Sequence, residues 1–387
     1  MKRIYLDHSA TTHVDTRVLE AMLPYFSEKF GNASSLHSFG LEAAEALSSS
    51  REQVAAALGA EPQEIIFTSG GTESDNMAIK GSAYMCSSRG RHIITSVIEH
   101  PAVLRTCEQL EKEGFEVTYV PVDNEGILDT QFLEDSIRED TILISIMHAN
   151  NEIGTVQPIK EISELIEGRG IVLHTDAVQS VGKIPVDVNE LGVDMLSISS
   201  HKLHGPKGVG ALYLRSGVNI LPIVQGGGHE RGLRPGTENI PGIVGFAKAM
   251  AIAREQLEAD SRHMQHLRDS MVEKVRSRIP YSRLNGHEIK RLPNNVNMSF
   301  RHVEGESLLM LLDMQGVAVS TGSACSSKSQ KASHVLTAID PGVDYIHGSL
   351  RFTLGRENTM EEIDLVVDLL EEAVIKLRRM SPFEEEN

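Results

Sequence analysis

Lys202 closes the stretch Ser199-Ser200-His201-Lys202, which follows the apolar run Met195–Ile198. A short buried strand that ends in a polar cluster delivers its lysine to the carboxyl edge of a sheet, where open α/β folds bind ligands. A lysine desolvated there sheds its proton and forms a Schiff base with a carbonyl compound. The second reactive group is Cys325, set in Ser320-Thr321-Gly322-Ser323-Ala324-Cys325-Ser326-Ser327-Lys328-Ser329. Inert cysteines sit among apolar neighbours, so small polar flanks predict a solvent-reachable, nucleophilic thiol. Cys86 and Cys107 fall on helical stretches and are expected to be inert.

Other polar groups also fall at strand ends. Asp176, after Ile171–Leu173, is costly to bury unless it meets a cation or a strong donor such as a pyridinium N–H. The alternative for Asp176 is an ordinary N-cap. Thr68-Ser69-Gly70-Gly71-Thr72-Glu73-Ser74 follows a strand and opens a helix, so its glycines and free amides can cradle an anion. It matches neither a nucleotide P-loop nor a dinucleotide fingerprint, and a plain strand–helix turn is the alternative. Glu99-His100-Pro101 and His148-Ala149-Asn150-Asn151-Glu152-Ile153-Gly154 add further polar groups. The run from Gly226 to Thr237 is too polar and glycine-rich for core and reads as a functional loop. No His-Glu-x-x-His occurs, and His263 and His266 lie in a charged helical segment, so no resident metal is expected.

The elements that must position these groups follow from periodicity. Apolar runs at Ile4–Leu6, Ile65–Phe67, Ile93–Ile94, Val117–Val120, Ile142–Met147, Ile171–Leu173 and Met195–Ile198 read as strands. Amphipathic helical stretches separate most of them, which predicts an α/β fold with a mostly parallel sheet covered on both faces. Asp15 reads as the N-cap of a first helix, and Gly59 as the stop of a second. After Tyr213 the alternation ends, and a long helix over Pro241–Ile279 carries the chain into a smaller α+β unit with strands at Val296–Phe300, Val317–Ser320 and Leu350–Leu354. With 387 residues, two cores are expected: a large domain over 15–259, and a small one built from 1–14 and 260–387.

Lys+Arg number 37 against 54 Asp+Glu, a formal charge of −17. That balance argues against direct binding to nucleic acid or to an anionic membrane. Three widely spaced cysteines make neither a disulfide framework nor a zinc site. With no long apolar span and no signal peptide ahead of Ile4-Tyr5-Leu6, a cytoplasmic setting is expected.

Taken together, Gly70-Gly71-Thr72-Glu73-Ser74-Asp75-Asn76, Asn150-Asn151-Glu152-Ile153-Gly154, Ser200-His201-Lys202, Arg231-Gly232-Leu233-Arg234-Pro235-Gly236-Thr237 and Gly322-Ser323-Ala324-Cys325 resemble the pyridoxal-phosphate-dependent cysteine desulfurases of the NifS/IscS type. The likeness runs from Tyr5-Leu6-Asp7 to Arg351-Phe352-Thr353-Leu354-Gly355-Arg356. The long loop around Cys325 looks like the subgroup that feeds iron–sulfur assembly. Small departures (His8-Ser9, Ala33 and Ser200) touch the edge of the site.

The resemblance implies a fold type I transferase that converts L-cysteine to L-alanine and leaves a persulfide on Cys325. It implies that Lys202 holds pyridoxal 5'-phosphate as a Schiff base and then moves the Cα proton. Asp176 would pair with the pyridine nitrogen, Gln179 with the ring hydroxyl, His100 would stack on the ring, and Asn151 would help hold it. Gly71, Thr72, Ser199 and His201 would bind the phosphate, with Thr237 reaching in from the second subunit of a homodimer. Arg351, assisted by Asn32, would grip the substrate carboxylate. The implied partner is an iron–sulfur scaffold protein or another sulfur acceptor, and Cys325 could transiently ligate a cluster. Rival readings are a selenocysteine lyase, an aminotransferase of the same fold, which would need no mobile cysteine, and a non-catalytic sulfur carrier, which would not need Lys202 and Asp176.

Overall fold

The computed structural model describes residues 3–321 and 332–380. Its strands are β1 (Ile4–Tyr5), β2 (Ile65–Thr68), β3 (His92–Ser96), β4 (Glu116–Val120), β5 (Thr141–Ser145), β6 (Val172–Asp176), β7 (Met195–Ser199), β8 (Gly210–Leu214), β9 (Ser282–Leu284), β10 (Asn295–Phe300), β11 (Val317–Ala318) and β12 (Ser349–Thr353). β2 to β8 form one seven-stranded sheet in the order β2-β8-β7-β6-β5-β3-β4. Every residue of β2, β3, β5, β7 and β8 is buried, as strands covered by helices on both faces must be.

β8 is antiparallel to both neighbours, so the sheet is mixed, and the apolar periodicity alone does not reveal this strand. The connection over residues 200–209 is too short for a helical crossover, so the chain can only turn back along β7. Gly210 lets the backbones close up there, since a Cβ would meet the Ile198 carbonyl oxygen at 2.4 Å and Gly70 Cα at 2.7 Å.

The helix Ile240–Arg278 spans both cores. Its first half buries Ile243, Phe246 and Met250 against the large sheet. Its second half buries Met264, Leu267, Met271 and Val275 with Val296, Phe352 and Val366 beside the antiparallel sheet β12-β10-β9. β1 pairs in parallel with β11, which carries the N-terminus into the smaller core. Asp15 caps its helix by accepting from the Arg17 amide at 2.8 Å, and Gly59 ends the helix Ser38–Leu58 at φ 71°. No described helix is long and apolar enough to cross a membrane.

The polar loop 226–237 is largely solvent-facing but is anchored by one buried charge. Glu230 is buried, pairs with Arg51 at 2.6 Å and accepts from the Phe67 amide at 2.9 Å. Removing one partner leaves a buried charge uncompensated. Glu230→Ala is therefore expected to lower stability by roughly 3 kcal/mol in urea unfolding. A loss below about 0.5 kcal/mol would mean that the ion pair does not anchor this loop.

Candidate active site

The carboxyl ends of β6 and β7 and the first turn of the helix Gly71–Cys86 enclose a cavity of about 180 Å³. Gly71, Thr72, His100, Asn151, Asp176, Gln179, Ser199, His201 and Lys202 all line it. The strand ends thus bring together residues spread over more than a hundred positions of the chain.

Lys202 ends a short 3-10 turn, Ser200–Lys202, directly after β7. Its Nζ donates to the carbonyl oxygens of Ser9 at 2.5 Å and Ala10 at 2.8 Å. The N-terminal loop therefore cups the amine. Thr12 fixes that loop by donating its amide to the His201 carbonyl at 3.0 Å, and Ser9 does so by donating its amide to Thr353 Oγ1 at 2.9 Å. Lys183 is buried beneath the same turn, its Nζ 3.4 Å from the Lys202 carbonyl oxygen. Burial pushes the Lys183 amine down to about 7, with the Lys202 charge adding to the effect.

Asp176 is buried, and its Oδ1 accepts from the Val178 amide at 2.9 Å, so it also satisfies the turn that follows β6. Burial raises its pKa, while His100, the Val178 amide and Lys202 pull it back. His100 caps the helix Pro101–Lys112 and accepts from the Ala102 amide at Nδ1, at 3.1 Å. That bond assigns the neutral ring's proton to Nε2. Burial lowers the His100 pKa, against the pull of Asp176. His201 bonds Thr11 Oγ1 through Nδ1 at 3.1 Å, and burial pushes it down to about 4.

The helix Gly71–Cys86 starts from Gly70 at φ 149°, a backbone state that side chains rarely adopt. A Cβ on Gly71 would meet Val178 Cγ2 at 2.7 Å. The first-turn amides of Gly71 and Thr72 have no partner within the helix, which suits them to an anion.

Arg351 lies behind the cavity wall on β12, buried, donating to the Asn151 carbonyl at 3.0 Å and to Asp7 Oδ1 at 2.8 Å. Asn32 and Thr237 are exposed and do not line this cavity within the chain; Asn32 Oδ1 accepts from the Ser34 amide at 2.9 Å. Cys325 lies outside the described residues. Cys107 is buried, and its thiol is pushed up to about 12 by burial, in keeping with an inert role.

Sequence reasoning gave no role to Asp7, Ser9, Asp75, Glu99 or Lys183. Asp75 is wholly buried, its Oδ1 3.7 Å from His174 Nε2, and burial together with Asp176 raises its pKa well above the carboxylate range. Glu99 is buried and accepts from Ser96 Oγ at 2.6 Å and the Met147 amide at 2.9 Å. Burial raises it to about 8. A carboxyl whose pKa is higher folded than unfolded stabilises the fold below the unfolded value, and that contribution is lost as pH rises towards about 8. Glu99→Gln is expected to flatten the fall in urea stability between about pH 4.5 and about pH 8. Parallel curves for parent and variant would show that Glu99 carries no such proton.

A family model described as aminotransferase class-V matches residues 4–366. The chain is 55% identical over 387 residues to a cysteine desulfurase IscS of Dictyoglomus turgidum, covering 100% of this chain and 98% of that protein. Among solved structures it is similar to a NifS-like protein with a TM-score of 0.92 and 43% identity, covering 97% of this chain and 100% of that one. A structure described as SspA in complex with cysteine matches with a TM-score of 0.81 and 38% identity, over 92% of this chain and 100% of that one.

Proposed function

The chain belongs to the class-V aminotransferase family of pyridoxal-phosphate-dependent enzymes, and from that premise we propose that it is a cysteine desulfurase. One observation carries the reading at the level of residues: Lys202, Asp176 and the helix turn at Gly71-Thr72 converge on one cavity. The cavity fits pyridoxal 5'-phosphate. Gln179 donates from Nε2 to the Ser9 carbonyl at 3.1 Å, while its buried Oε1 has no hydrogen-bond partner among the described residues. Only glycine at position 71 keeps the cradle between Val178 and Ser199 open.

In this reading the amides of Gly71 and Thr72, with Ser199 and His201, would hold the phosphate. Asp176 would pair with the ring nitrogen and Gln179 with the ring oxygen, while His100 and Asn151 would help hold the ring. The bound cofactor supplies an electron sink for charge developing at the substrate Cα. Lys202 would hold the cofactor covalently, and its freed amine would serve as the base that takes the Cα proton. Arg351, with Asn32 assisting, grips the substrate carboxylate. The Cys325 thiolate attacks the sulfur of L-cysteine. An S–S bond forms, the Cβ–S bond breaks, Cβ gains a proton, and L-alanine leaves a persulfide behind. Selenocysteine is the rival substrate.

Thr237 is exposed on its own chain and does not line its cavity, which supports placing it at the second site of a homodimer. The acceptor of the sulfur is an iron–sulfur scaffold protein or another thiol-bearing partner, with Cys325 able to ligate a cluster during transfer. The two buried clusters joined by the helix Ile240–Arg278 support a large domain over 15–259 and a small one from 1–14 and 260–387. The test is direct. Incubation with L-cysteine should yield alanine and add one sulfur to Cys325 by mass spectrometry, and Cys325→Ser should yield neither. Alanine formed at an equal rate by Cys325→Ser would overturn the assignment of the nucleophile.

A further inference from the structure

Three side chains that the desulfurase chemistry does not use meet on the far side of the Lys202 turn. His13 comes from the N-terminal loop, His204 follows Lys202 by two residues, and Glu357 lies beyond β12. One ligand atom from each lies within 4.8 Å of the others. His13 Nε2 is 3.3 Å from Glu357 Oε1, and the two imidazole rings meet edge to face with centroids 4.8 Å apart.

We propose that His13, His204 and Glu357 form a divalent transition-metal site that ties the Lys202 turn to the smaller unit. Two imidazoles and a carboxylate are the donor set that zinc takes, with a water in the fourth position. Zinc bonds of about 2.0 Å place tetrahedral ligands about 3.3 Å apart. His13 Nε2 and Glu357 Oε1 already stand at that spacing, and both side chains are at least half exposed, so neither is locked by packing.

His204, in contrast, is held in place. Its backbone is left-handed at φ 62°, its amide donates to Thr12 Oγ1 at 2.8 Å, and its carbonyl accepts from the Asp15 amide at 3.0 Å. Its Nδ1 is buried without a hydrogen-bond partner among the described residues. The same is true of Nδ1 on His8, which is only 5% exposed and lines, with His204, a cavity of about 40 Å³. The His8 and His204 ring centroids are 6.1 Å apart. A buried ring nitrogen of His204 without a partner is an independent sign that something polar belongs beside it. Arg356 opposes a cation, since its Nε sits 3.3 Å from Glu357 Oε1. Its guanidinium is also held by Asp15 and Gln256, so Glu357 is not its only partner.

The test uses the untagged, cofactor-loaded, full-length Cys325→Ser chain, so that neither a tag nor the reactive thiol binds metal. After treatment with a chelator it is titrated with zinc alone. One zinc per chain is expected to bind and to raise the melting temperature. His13→Ala and Glu357→Gln, both exposed and outside the active site, should each weaken binding by roughly tenfold or more. Both should lose the thermal shift while keeping the parent's metal-free melting temperature. No binding by the Cys325→Ser chain, or equal binding by both further variants, would overturn the site.

Discussion

Lys202→Ala is expected to remove the visible absorption of the lysine-linked cofactor and to lower alanine formation by at least roughly 10³-fold. In the proposed mechanism the amine is both the covalent anchor and the base, and it lines the cavity together with Asp176. Folding should survive, because the turn is held by its backbone: Leu203 and Gly205 donate their amides to the Ser200 carbonyl at 3.1 Å. The change removes the hydrogen bonds to Ser9 and Ala10 from a loop that Thr12 and Thr353 also fasten. An unchanged spectrum in the reconstituted variant would sink the assignment. Lys183, the buried amine beneath the same turn, would then be the residue to replace.

Arg351→Lys is expected to raise KM for L-cysteine by roughly 10-fold to 100-fold, with kcat much less affected. A guanidinium presents a planar fork that grips a carboxylate through two bonds, and an ammonium presents a single point charge. Arg351 is already engaged by Asp7 and by the Asn151 carbonyl, so the incoming carboxylate must share it with Asp7. That contact separates two roles. If Arg351 only braces Asp7 and β12, the lysine variant loses urea stability while KM stays at the parent value. If it binds substrate, KM moves by far more than stability does. The measurement is therefore paired: steady-state kinetics and urea unfolding on the same preparation.

The sequence by itself determined the chemistry and the strands that carry it. Met195–Ile198 is apolar enough to be only a buried strand, and the polar cluster after it could only emerge at a sheet edge. Asp176 and Lys202 were legible for the same reason, since a charge set at the end of an apolar run is unusual. The helix Ile240–Arg278 was visible in its length and periodicity. What local pattern could not decide was long-range pairing. β8 runs antiparallel because the connection after Lys202 is short and Gly210 admits close backbone approach, which no apolar count encodes. The cup around Lys202 is made of two carbonyls from the N-terminal loop, and backbone oxygens leave no mark in residue type. Glu230 looked solvated in its glycine-rich loop and is buried, because Arg51 and the Phe67 amide lie far along the chain. Asp7 meets Arg351 where the N-terminal segment bridges to β12, and Lys183 meets Lys202 beyond the ends of β6 and β7, so tertiary contact alone assigns them their electrostatic roles.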